Sequence, residues 1–231
     1  MCSGLLPINS SLRILRNMVT ASIIIVTSII SIVAFPKNNP FPRCMARPDL
    51  LGIFMFNPYY VSHFKEYYRM LASGLVHTGW WHLLLNMITL YFIGNLVEGA
   101  FVGIYGSLLG RIIYLVFYLL ALIVSSISDL MKYRDNVSYY FCGSSGAVSA
   151  VMFASVIIFP KISFYLFFIP IPVPGYVYAL LFLLYCCYCM ARQKINCFGN
   201  AVHFWGGLFG LFFPIFVYPP ILVHLISLFL K

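Results

Sequence analysis

Six long apolar segments, at about 19–35, 80–99, 108–127, 142–160, 174–191 and 200–229, constrain this chain more than any other feature. Each approaches the roughly 20 apolar residues that a helix needs to cross a bilayer. Of the 231 residues, 62% are hydrophobic and only 8% are charged, with a mean hydropathy of +0.96. A soluble domain carries about 25% charged residues. The deficit implies a multi-pass, all-α integral membrane protein. No internal repeat or linker is visible, so the expectation is one domain over 1–231, with a short tail at about 1–18 and six spans. The first segment, VTASIIIVTSIISIVAF, follows Arg13 and Arg16, is too long for a signal-peptide core, and is read as a retained span.

The net charge of +9, from 14 basic against 5 acidic residues, suits anionic lipid headgroups. No basic stripe with interleaved aromatics occurs, which excludes nucleic acid as the expected partner. Charge does not orient the bundle: with a cytoplasmic N-terminus, Arg13, Arg16, Arg111, Lys161 and Lys231 fall inside and the other nine basic residues outside. The connection at about 36–79 holds Pro36, Pro40, Pro42, Pro48 and Pro58 and many aromatics, and is expected to lie at the membrane interface. The prolines of IPIPVPG before the fifth span argue against helix there. That segment and the fifth span are candidates for a movable wall and its connection. The seven cysteines, with LLYCCYCM among them, have no zinc-finger spacing and read as small apolar side chains.

In hydrocarbon, a polar side chain needs a reason. His82 and Asn86, Ser144 and Ser145, and His203 fall near the starts of the second, fourth and sixth spans. Alternate helices enter from the same side, so the three clusters share one face at similar depth. His203, Gly206, Gly207 and Gly210 lie on one helical face, opposite a matching set in Gly143, Gly146, Ala147 and Ala150. Close approach of those faces would let a serine meet an imidazole, the arrangement that activates a hydroxyl as nucleophile. A carboxylate commonly orients the histidine. Here Asp49, Glu66, Glu98, Asp129 and Asp135 are the acids, and none lies in the fourth or sixth span, so a Ser/His dyad is expected. His82 and Asn86, four apart, suit an oxyanion hole. CGSSGA is not the GxSxG elbow of soluble hydrolases.

Blander roles compete: serines and glycines for packing alone, His203 and Asn86 as interhelical hydrogen-bonders, His82 as an interface residue. A transporter would need mid-membrane charges or an inverted repeat. A metal site on His77, His82 and His203 lacks nearby carboxylates. No metal or cofactor is expected.

The chain resembles the rhomboid intramembrane serine proteases over about residues 15–230. The resemblance rests on YYRMLASGLVHTGWWHLLLNM (67–87), GSSG (143–146) and HFWGGLFG (203–210), in that order within a six-span frame. It implies a six-helix rhomboid-like bundle with a long interfacial first loop. It also implies Ser145 as nucleophile, with Ser144 the alternative, and His203 as general base. His82 and Asn86, with the Ser145 N–H, would hold the oxyanion. Tyr68 and Arg69 would anchor the first loop, and His77 and Glu98 would be structural. Gly143, Gly146, Gly206 and Gly210 complete the motifs. The implied substrates are single-span membrane proteins whose helix unwinds near the membrane edge, and the other partner is membrane lipid. Two departures stand out. Four residues after Ser145, where many members carry a Tyr or Phe that packs on the base, this chain has Ser149. Val202 stands where Ala is common. Either His203 is oriented by some other contact, or the dyad is looser. A catalytically inactive, client-binding member is the alternative reading. The expected location is a bacterial inner membrane, since the extra N-terminal segments of many eukaryotic relatives are not seen.

Overall fold

The computed structural model describes residues 18–35, 50–165, 171–192 and 199–229. The N-terminal tail, the proline-rich half of the first loop, and Cys2, Cys44 and Cys197 lie outside the described residues. In chain order, α1 (Met18–Ala34) is followed by the short helices α2 (Leu50–Phe54), α3 (Pro58–Phe64) and α4 (Arg69–Ala72) of the first loop. Next come α5 (Trp80–Thr89), a π turn (Leu90–Gly94) and α6 (Asn95–Tyr105), which together make one continuous rod of 26 residues. Then follow α7 (Ser107–Lys132), α8 (Ser145–Ile158), α9 (Gly175–Ala191), α10 (Asn200–Val217) and α11 (Pro220–Phe229). The α5–α6 rod, α7 and α10 are long and apolar enough to cross a membrane; α1, α8 and α9 are shorter apolar helices. The result is a helical membrane bundle, as expected.

The breaks follow local chemistry. Gly106, at φ +82°, is the single residue between the α5–α6 rod and α7, a conformation that costs glycine little. The sixth segment breaks at Pro219–Pro220, while Pro214 stays inside α10. Pro214 lies in the last turn and forfeits one N–H, whereas two successive prolines remove two. The second rod runs to Tyr105, beyond the expected 99. Within IPIPVPG, the described residues 171–174 avoid helix, as the prolines require. Pro172–Pro174 instead pairs antiparallel with Ser163–Tyr165, a small hairpin (β1, β2) that composition did not announce.

At the centre stands α8. Ten of its fourteen residues are buried, and α7, α9, α10 and the π turn surround it. Fourteen residues at ~1.5 Å each make about 21 Å, shorter than the ~30 Å hydrocarbon core. α8 is thus too short to cross that core as helix alone. The core beside it gathers Phe101, Tyr114, Phe117, Ala147, Ala150 and Val151. Glu98 is fully buried and takes the N–H groups of Val19 and Thr20 at the start of α1, at 3.1 and 2.8 Å. A carboxylate there meets the positive end of the helix and satisfies two otherwise orphaned donors.

Candidate active site

The segment entering α8 is fastened to the first loop. Phe56 and Phe141 exchange both backbone hydrogen bonds, at 2.8 and 2.9 Å, and Gly143 N–H donates to Ser73 O at 2.9 Å. Gly143 has φ +122°, and a β-carbon there would run into the His82 ring, 2.8 Å from its Nε2. Only glycine lets the backbone turn this way under an imidazole. The first loop is thus a scaffold for the residues before Ser145.

Ser144 and Ser145 have different surroundings. Ser144, His77 and Ser31 are all fully buried. Ser144 N–H donates to His77 Nε2 at 3.3 Å, so Nε2 carries no proton and accepts the Ser144 hydroxyl as well, at 3.2 Å. Nδ1–H must then donate to Ser31 Oγ at 2.9 Å, and the Ser31 hydroxyl donates to Leu75 O at 3.0 Å. Each donor in this chain has one acceptor, and His77 is neutral. Burial, with His82 nearby, lowers its pKa from 6.5 to about 3. Ser144 is a sealed structural link with no access for a substrate. Ser145 is partly exposed and is the first residue of α8, so its N–H has no acceptor within the helix.

His203 lies in the first turn of α10 and is partly exposed. The glycine faces meet as their spacing predicts. A β-carbon on Gly206 would strike Gly146 O, and one on Gly210 would strike Ala150 O. Val202 is buried, and its Cγ1 sits 2.7 Å from where a Gly146 β-carbon would stand, so the extra methyls fill space that Gly146 leaves open. The residues flanking Ser145 and His203 therefore touch. Among the described residues no hydrogen bond joins the two side chains themselves; such catalytic contacts commonly tighten when substrate binds. The His203 ring lies 6.1 Å from that of Phe182 on α9, tilted 44°.

His82 is partly exposed on the first turn of α5, close enough to His203 for a charge on one to be felt at the other. Its Nδ1 is 3.1 Å from the Thr78 hydroxyl, while Nε2 lies over Gly143. When Thr78 donates, the proton sits on Nε2 and points toward the start of α8. Asn86, one turn on and buried, gives one amide hydrogen to His82 O at 2.8 Å and keeps the other. Spacing did not reveal Ser31 or Phe182, because each acts across space from another element, whereas Thr78 lies only four residues before His82.

Arg69 is buried and turns inward. Its guanidinium donates to the carbonyls of Gly52, Ile53 and Met55 at 2.8–2.9 Å, and it pairs with Glu66. It thereby caps the end of α2 and lies over the Tyr60 and Tyr68 rings. Tyr68 itself is exposed, with long hydroxyl contacts of 3.4 Å to Ile53 O and Glu66.

The Rhomboid domain family matches residues 65–220, a stretch that includes His77, His82, Asn86, Ser145 and His203. The chain belongs to the rhomboid family. It is 30% identical over 131 residues to RHOMBOID-like protein 12, mitochondrial, of Arabidopsis thaliana. That match covers 52% of this chain and 39% of the relative's length.

Proposed function

We propose that this protein is an intramembrane serine endopeptidase that cuts single-span membrane proteins in or near their transmembrane segments. The observation that carries the reading is the setting of Ser145. It is partly exposed at the start of the short helix α8, its neighbour Gly146 packs against Val202 and Gly206 on either side of His203, and Gly143, two residues before it, lies against the His82 ring. His203 takes the Ser145 proton as Oγ attacks the scissile carbonyl. The Ser145 N–H, His82 and Asn86 stabilise the oxyanion. His203 then passes the proton to the leaving amine, and water hydrolyses the acyl-enzyme. Ser144, held by His77, takes no part. A substrate helix must expose its backbone before it reaches Oγ, which favours segments that unwind near the membrane edge.

A second reading, an inactive rhomboid-like protein that binds transmembrane clients, is favoured by Ser149 and by the missing Ser145–His203 hydrogen bond. The test is cleavage of a single-span reporter in proteoliposomes. Cleavage lost in both Ser145→Ala and His203→Ala supports the protease. Binding without cleavage by the wild type supports the alternative. The protein is integral to the membrane. Fractionation of source cells tests which membrane holds it, a bacterial inner membrane or a mitochondrial one as in the relative's name.

A further inference from the structure

We infer that Phe182 of α9 is a positioning residue for His203, supplying from a different helix the aromatic wall that Ser149 does not provide. The inference rests on His203 being the base.

Ser149 sits one turn after Ser145 on α8, buried, with no ring to lay on an imidazole. The next aromatic on that face is Phe153, a turn deeper. Its ring packs against Gly207 rather than His203, 3.2 Å from where a β-carbon would stand. Phe182 fills the gap between them. Its ring centroid is 6.1 Å from His203 and 5.8 Å from Phe153, the latter edge to face at 60°. These separations lie within the 4.5–7 Å range in which rings attract beyond simple burial. Phe182 is itself held in place. Tyr178, one turn earlier on α9, stacks on it at 5.7 Å and 21°, and Phe164 of the β-hairpin meets Tyr178 edge-on at 5.2 Å. A row of rings thus runs from the hairpin up α9 to the imidazole. With no carboxylate bonded to His203 among the described residues, this row limits the rotation of its ring. The position of α9 and the readiness of the base are thereby linked.

The test uses purified full-length protein and two readouts. One is the rate of covalent labelling by a small fluorophosphonate, which needs no opening for a substrate helix. The other is kcat and KM on a single-span reporter. Phe182→Leu keeps apolar volume but no ring, and guards against a fold defect in Phe182→Ala. Both variants are expected to label on the order of five-fold more slowly, the scale of one aromatic pair, with kcat lowered and KM little changed. Phe182→Tyr keeps most of the rate. Ser149→Phe in the Phe182→Ala background restores part of it, as coupled positions should. Wild-type labelling rate in Phe182→Leu overturns the inference, since any apolar filler would then serve. So does a changed KM with unchanged labelling, which would make Phe182 only a wall for substrate. If the wild type does not label, or Ser145→Ala still does, the site assignment itself fails and this inference falls with it.

Discussion

Gly206 and Gly207 are adjacent on α10, yet a single methyl group should have opposite consequences at the two. At Gly206 the new β-carbon would overlap Gly146 O and lie 2.9 Å from Gly146 C, and backbone on a buried helix cannot step aside. The oxygen is the nearer clash, and to bring it to an ordinary ~3.4 Å, α8 and α10 must part by about an ångström at the residue beside Ser145. Overpacking of this kind costs roughly 1–3 kcal/mol. A misplacement near 1 Å between catalytic groups lowers rates about 100-fold. At Gly207 the β-carbon would meet only the Phe153 ring, at 3.2–3.4 Å, and a ring can shift by tenths of an ångström. There the ~0.5–1 kcal/mol helix-propensity gain of Ala over Gly offsets the crowding. Thermal unfolding in detergent and reporter cleavage, measured side by side, are expected to show Gly206→Ala less stable and 10- to 100-fold slower, and Gly207→Ala close to wild type. Equal damage from both, or none from Gly206→Ala, would refute the reasoning from backbone contact.

Three further expectations follow from the buried polar groups. Ser144→Ala should retain cleavage and lose about 1 kcal/mol of unfolding free energy, the worth of its bond to His77. Glu98→Gln keeps the shape but not the charge that holds the Val19 and Thr20 N–H groups, and denaturation should register a loss of about 1–2 kcal/mol. Because the His77 pKa is about 3 when folded and 6.5 otherwise, the unfolded chain binds more protons below pH 6.5. His77's contribution is therefore complete above pH 6.5 and declines toward pH 3 by about 1.4 kcal/mol per unit. Unfolding midpoints taken from pH 7 to 5 should fall more steeply in wild type than in His77→Gln.

What the sequence revealed depended on how local each cause is. The helical membrane bundle and the meeting of the Gly206 and Gly146 faces follow from hydropathy and helical spacing, and both were legible. The separation of Ser144 from Ser145 was not. It depends on His77, 67 residues before Ser144, meeting its hydroxyl, and on Ser31, 113 residues before it, holding the other nitrogen of that ring. Arg69 was named as a first-loop anchor by the family resemblance alone, with no partner visible in the sequence. Its buried role appears only when α2 ends its carbonyls on it. The Ser149 departure was visible, but the ring that stands near His203 comes from α9, and no spacing rule links two helices that far apart in sequence.

The protease reading stands or falls on Ser145 being the activated hydroxyl. The most direct measurement is peptide mapping by mass spectrometry after fluorophosphonate labelling of the folded protein in lipid. An adduct on Ser145 that disappears in His203→Ala is the expected result. An adduct on Ser144, or a Ser145 adduct that forms equally well without His203, would contradict it.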